Sequence, residues 1–304
     1  MGNYERQVSI CCNTCLFICS IIKVSLSILT HHKACVQYEI MKCHCFTLIE
    51  MLVVIAVVAL LVAILMPVLQ NSKLRAKAVL CGSNIKQLTF DLFMYESDNQ
   101  SFPYGFYNTY SPPPGGHPGN FLFDKLGWWW FNYTSDYLVK NRGKKTILWC
   151  PSRRIRDPKF DYILHGNYGV NRLICKSSDD IQSDGEEFIG KPLRGSDVLH
   201  PAQTLLIVDS GYSIIGWWHV TNVPPVALNK NSIEDTAYVP GLEINKDKDL
   251  WPGQKEDAVD GRHPNKTVNV GFVDGHCDHT RAVDLFIEKT DDTYTNRSPL
   301  WSPE

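Results

Sequence analysis

Glu50 is the one charged side chain in the run Phe46 to Met66, FTLIEMLVVIAVVALLVAILM. A carboxylate just inside an apolar span costs on the order of a few kcal/mol unless it is paired or sits at headgroup level. The sharper chemistry is ion pairing, and a free amino terminus at Phe46 of a neighbouring copy would supply the cation. His263, Asp274, His276, Asp278 and His279 are of the types that hold metals. On a strand, however, His276 and Asp278 point to one face and Cys277 and His279 to the other. They do not form one convergent set, so no metal site is expected. Asp179, Asp180, Asp184, Glu186 and Glu187 form an acidic stretch that could take calcium. Such runs are usually only solvated, and no cofactor is expected. The chain has no serine-nucleophile elbow, no Gly-rich phosphate loop and no paired Cys-x-x-Cys spacing. It does not read as an enzyme.

The cysteines carry a different message. Of 11, seven lie in the first 45 residues, and only Cys81, Cys150, Cys175 and Cys277 lie beyond. An even number in an exported segment points to disulfides, with three possible connectivities for four cysteines. Cys81 falls in an apolar helical stripe, and Cys150 ends a short apolar run before Pro151. A Cys81–Cys150 bridge would clamp helix to sheet and is the favoured pair.

These residues need elements to position them. The 21 residues of Phe46 to Met66 make roughly 31 Å of helix at about 1.5 Å per residue, enough for a hydrocarbon core of about 30 Å. Pro67 follows, where a helix ends or kinks. Leu74, Ala78, Cys81, Ile85, Leu88, Leu92 and Tyr95 then recur at spacings of four and three, one apolar stripe on a helix. The helix is expected to run from Phe46 to about Glu96, with its first half in lipid and the second packed on a soluble head. Beyond Pro103 the chain reads as β-rich. Thr146–Cys150, Thr204–Val208, Ser213–Val220 and Val268–Val273 are strand candidates. Asp209-Ser210-Gly211 is the turn expected between the second and third, and Asp274-Gly275 is a hairpin signal. Adjacent tryptophans at 128–130 and 217–218 cannot all face one core from a strand. Some are expected at the surface, for subunit packing or for stacking on sugars, although burial on both faces of a thin domain would serve equally.

Cys-Phe-Thr-Leu-Ile-Glu at 45–50, followed by an unbroken apolar run, resembles the prepilin signature of type IV pilins and type II secretion pseudopilins. The resemblance implies that a prepilin peptidase cuts between Cys45 and Phe46 and methylates the new amino group. It implies that Glu50, fifth in the mature chain, matches the N-terminal charge of a neighbouring subunit during assembly. It also implies a helix kink at Pro67, the twenty-second mature residue. The family usually has Gly, sometimes Ala, where this chain has Cys45. Asn84–Leu88, Cys150-Pro151-Ser152, Tyr168–Asn171, His200–Thr204 and Asp209 resemble landmarks of a large group of bacterial prepilin-like proteins. Members end with a His, nine residues and Asp-Gly; here ten residues separate His263 from Asp274-Gly275.

The implied fold class is α+β: a pilin-like long N-terminal helix, its first half transmembrane, packed on an antiparallel β-rich head. The expected organisation is a leader at 1–45, a span at 46–66, an amphipathic extension at 67–100 and an extracytoplasmic head at 101–304. Met41-Lys42-Cys43-His44-Cys45 would suffice as a short leader, so translation is expected to begin at Met41 and residues 1–40 to come from a misplaced start, the alternative being one long leader that is removed. The implied partners are the prepilin peptidase, other pilin or pseudopilin subunits, an inner-membrane assembly platform and the lipid bilayer. The implied location is the inner membrane, single-pass, with the head in the periplasm or in an extracellular filament. Lys73, Arg75 and Lys77 after the span argue locally for the opposite orientation, which dedicated export machinery can override. A static anchor with a polysaccharide-binding head is the rival reading.

Composition agrees with such a chain. The 304 residues carry a formal net charge of −2, and residues 46–304 alone carry −4. Neither suits a nucleic-acid binder working through bulk positive charge.

Overall fold

The computed structural model describes residues 47–108, 127–133, 146–155, 163–178, 186–224 and 236–304. One α-helix, α1, spans Leu48–Asn99 and carries Pro67 in its interior. The helix therefore does not end at the proline. The chain divides into two units, the first ending at Val68 and the second running from Leu69 to Glu304.

In the first unit, every described residue from Thr47 onward is exposed. The segment is long and apolar enough to cross a membrane, and none of its apolar window is buried by protein. Among the described residues nothing packs on this segment, and a helix apolar on all sides fits a single-pass membrane anchor.

The second unit is built on a five-stranded sheet in the order β5-β3-β4-β6-β7. Its strands are β3 (Tyr168–Asn171), β4 (Leu205–Asp209), β5 (Ile214–Ile215), β6 (Thr267–Phe272) and β7 (Cys277–Arg281). All neighbours are antiparallel except β3 and β5. Small ribbons flank the sheet: β1 (Phe106–Tyr107) with β2 (Trp128–Trp129), and β8 (Glu288–Thr290) with β9 (Thr293–Thr295). A short helix, α2, spans Pro252–Asp260.

The helical stripe packs from Ala78 to Leu92, while Leu74 at its start is exposed and Tyr95 at its end is half-buried. Ala78, Cys81, Ile85, Leu88 and Leu92 are buried. Ile85, Leu88 and Leu92 each contribute about 1.5–3 kcal/mol relative to exposure. They join Trp129, Trp130, Tyr168, Val170, Leu206 and Ile207 in one core. A second core contains Leu205, Val208, Ile215, Trp217, Trp218, Val268, Val270 and Trp301. Strand β4 is buried along its whole length because it contributes to both. Leu206 and Ile207, though adjacent, share the first core; the register irregularity between Leu205 and Ile207 breaks the two-residue alternation there. Helix and sheet approach closely at Gly271. A Cβ there would lie 2.0 Å from Thr89 Oγ1, so only glycine lets α1 settle at this depth on β6.

Two expectations are corrected, and for the tryptophans the buried alternative is the one observed. Thr146–Cys150 is a turn segment; among the described residues its backbone pairs with no strand, and Cys150 N–H donates to Asn167 Oδ1 at 3.0 Å instead. Ser213–Val220 is a strand only at Ile214–Ile215, and it pairs with β3 in parallel, so Asp209–Gly211 does not join two neighbouring strands. Trp128, Trp129, Trp130, Trp217 and Trp218 are all buried, none more than 3% exposed. Trp130–Asn132 and Trp217–Val220 form tight three-residue-per-turn helices, so neighbours diverge without pointing to opposite faces of a sheet.

Candidate functional site

Cys45 and Phe46 lie outside the described residues, as do Asp179, Asp180 and Asp184 of the acidic stretch. Glu50 is described. Its Oε2 accepts from Thr47 N–H and from Thr47 Oγ1, both at 2.8 Å, and Glu50 N–H donates to Thr47 Oγ1 at 3.3 Å. This is a reciprocal capping box, which satisfies orphan donors at the first turn of α1. The Thr-x-x-Glu spacing at 47–50 was readable in the sequence. Glu50 therefore has a local partner in the isolated chain as well as the ion-pairing chemistry its position suggests.

The polar landmarks of the head converge. Cys81, from α1, is bridged to Cys150, with Cα atoms 5.5 Å apart. Cys81 Sγ lies 3.1 Å from Tyr168 Oη on β3, which also accepts from Asn84 Nδ2 at 3.1 Å. Asn84 Nδ2 donates in addition to Trp149 O at 3.2 Å. Below this layer sits Asp209, at the end of β4. Its Oδ2 accepts from Asn269 N–H at 2.7 Å and from Asn269 Nδ2 at 3.0 Å, and lies 3.1 Å from His263 Nε2. Five positions quoted as separate sequence landmarks, Asn84, Cys150, Tyr168, Asp209 and His263, thus form one buried seam between α1 and the sheet. No spacing rule links residues so far apart in the chain.

Asp274 and Gly275 do something else. They close the β6–β7 hairpin, Gly275 at φ +91° and donating to Phe272 O at 3.0 Å. Asp274 Oδ1 accepts from His276 N–H at 3.1 Å and contacts His276 Nδ1 at 2.5 Å, while the His276 ring stacks on Phe272. His276 and Asp278 do not reach the seam. His279 reaches it through Asn269, with Nδ1 3.0 Å from Asn269 Oδ1, and through its ring, whose centroid lies 6.2 Å from that of His263.

A second buried charge layer supports the seam. Arg262 binds Asp257 through Nε at 3.0 and 2.8 Å and through Nη2 at 2.8 Å; both side chains are fully buried. Nη1 donates to Asn167 O and Nη2 also to Ser210 O, each at 2.6 Å. Tyr238 Oη donates to Asp257 Oδ2 at 2.9 Å, and Arg154 N–H to Asp257 Oδ1 at 2.9 Å. Burial would push the Asp209 carboxyl up, but the His263 hydrogen bond, the His263 and Arg262 charges and the Asn269 N–H outweigh it and hold it below the usual range.

The head is expected to lose stability in acid. Burial, then the Arg153 charge, pushes His165 down to about 3. Between its unfolded value of about 6.5 and that figure, the unfolded chain binds a proton that the folded chain refuses. Stability therefore falls as pH falls through this window, by up to about 1.4 kcal/mol per unit. Asp209 acts in the same direction at lower pH, its ionised form being the one the fold favours. Denaturation midpoints measured from pH 7 to pH 4 should drop steadily, and His165→Gln should flatten the slope. A midpoint independent of pH in this range would refute the assignment.

Comparison with known proteins bears on the first unit. Residues 41–66 match the family model of the prokaryotic N-terminal methylation motif. The chain carries a prepilin-type N-terminal segment, of the kind found in type IV pilins and pseudopilins. No curated protein and no solved structure is significantly similar to the chain. The resemblance of the head to prepilin-like proteins rests on the residues quoted for it.

Proposed function

We propose that the chain is a structural subunit of a type IV pilus-like filament or of a type II secretion pseudopilus. The observation that carries this reading is the methylation motif at 41–66 on a helix whose first, apolar segment has nothing packed on it among the described residues. A prepilin peptidase removes the leader after Cys45 and methylates Phe46. The helix holds the subunit in the inner membrane, head outward, until an assembly platform draws it into a filament. There the apolar helices of neighbouring subunits replace lipid around one another, since the same surface is soluble in either environment. The role is structural, the protein being the substrate of an enzyme. The buried tryptophans support this over a sugar-binding head, because stacking on a sugar needs an exposed aromatic face and these five rings have none.

Mass spectrometry of the mature N-terminus tests the proposal. The expected terminal residue is N-methylated Phe46, dependent on the prepilin peptidase of the same cell. An uncleaved chain, or cleavage elsewhere, would overturn it.

A further inference from the structure

The polar seam contains a ligand set that neither the methylation motif nor the filament reading uses. Cys81 Sγ, Cys150 Sγ, one Asp209 oxygen and a His263 ring nitrogen all lie within 4.8 Å of one another, and all four residues are buried. We propose that, when Cys81 and Cys150 are reduced, these four side chains bind a zinc-class divalent cation in tetrahedral geometry. The seam is then held by a metal in the dithiol form and by a disulfide in the oxidised form.

Three observations support the assignment. The donor set is two thiolates, an imidazole and a carboxylate, the combination that suits zinc. Metal–ligand bonds of about 2.0–2.3 Å require ligand atoms about 3.3–3.8 Å apart in a tetrahedron. Cys81 Sγ to Asp209 Oδ1 is already 3.8 Å.

The second observation is an imbalance at Asp209. Its three donor contacts, two from Asn269 and one with His263 Nε2, fall on Oδ2. Among the described residues, the polar neighbour of Oδ1 is Cys81 Sγ, and a disulfide sulfur has no proton to give. A fully buried carboxylate oxygen is thus aimed at the cysteine pair, where a cation would satisfy it.

The third is a mismatch at His263. Nε2 lies 3.1 Å from Asp209 Oδ2 and 3.2 Å from Asn269 Nδ2. With a proton on Nε2, the contact to the amide NH₂ is donor against donor. Without one, the contact to the carboxylate is acceptor against acceptor. A cation on the Nε2 lone pair relieves the second case, and Asn269 then orients the carboxylate from behind. Two thiolates, one carboxylate and a divalent cation leave one net negative charge, next to the Arg262 guanidinium that already acts on Asp209. The proton displaced to Nδ1 has no partner among the described residues, which sets the affinity below that of a site whose histidine is backed by a carbonyl.

The test uses the full chain in detergent micelles, reduced with a phosphine, with Zn²⁺ or Co²⁺ as the probe. A full chain carrying Cys81→Ser and Cys150→Ser gives the background from the other cysteines. The reduced wild-type chain should hold one more zinc per molecule than this variant. Its Co²⁺ form should show thiolate charge transfer and tetrahedral visible bands that Zn²⁺ abolishes. Diamide then takes two electrons from the two thiolates and two protons from solvent, becoming the hydrazine. One Zn²⁺ should be released to a chromophoric chelator for each Cys81–Cys150 disulfide found by peptide mapping. His263→Gln should weaken zinc binding by at least about 100-fold, since even the loss of an outer-shell partner costs about 10–100-fold. Equal zinc content in the wild type and the double serine variant would overturn the proposal. So would zinc release without the Cys81–Cys150 disulfide, or undiminished binding in a folded His263→Gln chain. The release experiment needs no substitution, so it decides the matter if a variant does not fold.

Discussion

Glu50→Ala will abolish incorporation into filaments while leaving the chain in the membrane. The side chain is the one charge in an otherwise apolar run, so its removal lowers the cost of insertion by up to a few kcal/mol, on the order expected for a carboxylate near a span. What it loses locally is the capping box with Thr47, worth about 1 kcal/mol. That is small beside the burial of a whole apolar helix in lipid. Assembly is different, because a charged N-terminus entering the apolar core of a filament needs an opposite charge at close range. The two roles separate with Glu50→Gln, which retains an acceptor for Thr47 and drops the charge. If charge matching governs assembly, both variants fail in sheared filament fractions and both remain in membrane pellets. Filaments of wild-type yield from Glu50→Ala would sink the assignment, and filaments from Glu50→Gln alone would reassign the residue to capping.

Asp257→Ala will cost about 3–5 kcal/mol of stability, the range for stranding one partner of a buried ion pair. The Arg262 guanidinium is fully buried and cannot reach water. Burial alone would push its pKa down; the Asp257 carboxylate is the first of the groups that reverse this and hold it up. Removing Asp257 also strands Tyr238 Oη and Arg154 N–H, at about 1–3 kcal/mol for each donor left unpaired in the interior. Against a typical total of about 5–15 kcal/mol, this brings the head close to unfolding. Arg262→Lys will not substitute, since one ammonium cannot span Asp257, Asn167 O and Ser210 O together. The double change Asp257→Leu with Arg262→Met should recover part of the loss. Denaturant titration of the solubilised chain reads both; a single-variant cost under about 1 kcal/mol would show that solvent reaches the pair.

Local signals were legible. The four-and-three spacing from Ala78 to Leu92 gave the packed face of α1, and Asp274-Gly275 gave the β6–β7 hairpin. Both depend on nearest neighbours in the chain. Ser213–Val220 misled because its partner, β3, precedes β4 in sequence and lies between β4 and β5 in space. Strand alternation does not describe Trp130 or Trp217–Trp218, where the backbone turns three residues at a time, and Trp128–Trp129, which are on a strand, are buried on both of its faces. The seam was the least legible part. His263 was weighed against His276 and His279, its neighbours in sequence, whereas its partner Asp209 lies 54 residues away. Asn269 carried no signal beyond its place in the Val268–Val273 strand candidate, yet it orients Asp209 and contacts His263 and His279.

On the proposed function, a subunit drawn from a bilayer into a fibre is a mechanical component. Tension enters along α1 from its lipid end, and the first buried positions it meets are Ala78 and Cys81. Cys81 is joined covalently to Cys150, so the load passes at the mouth of the seam from the helix to the head. Non-covalent contacts further along, at Ile85, Leu88 and Leu92, sit in the shadow of that bond and carry little shear until it breaks. The same chain without the bridge would peel from its first turn onward, one contact at a time. Rupture force in a single-molecule pull along α1 would therefore register the state of one sulfur pair rather than the area of the interface.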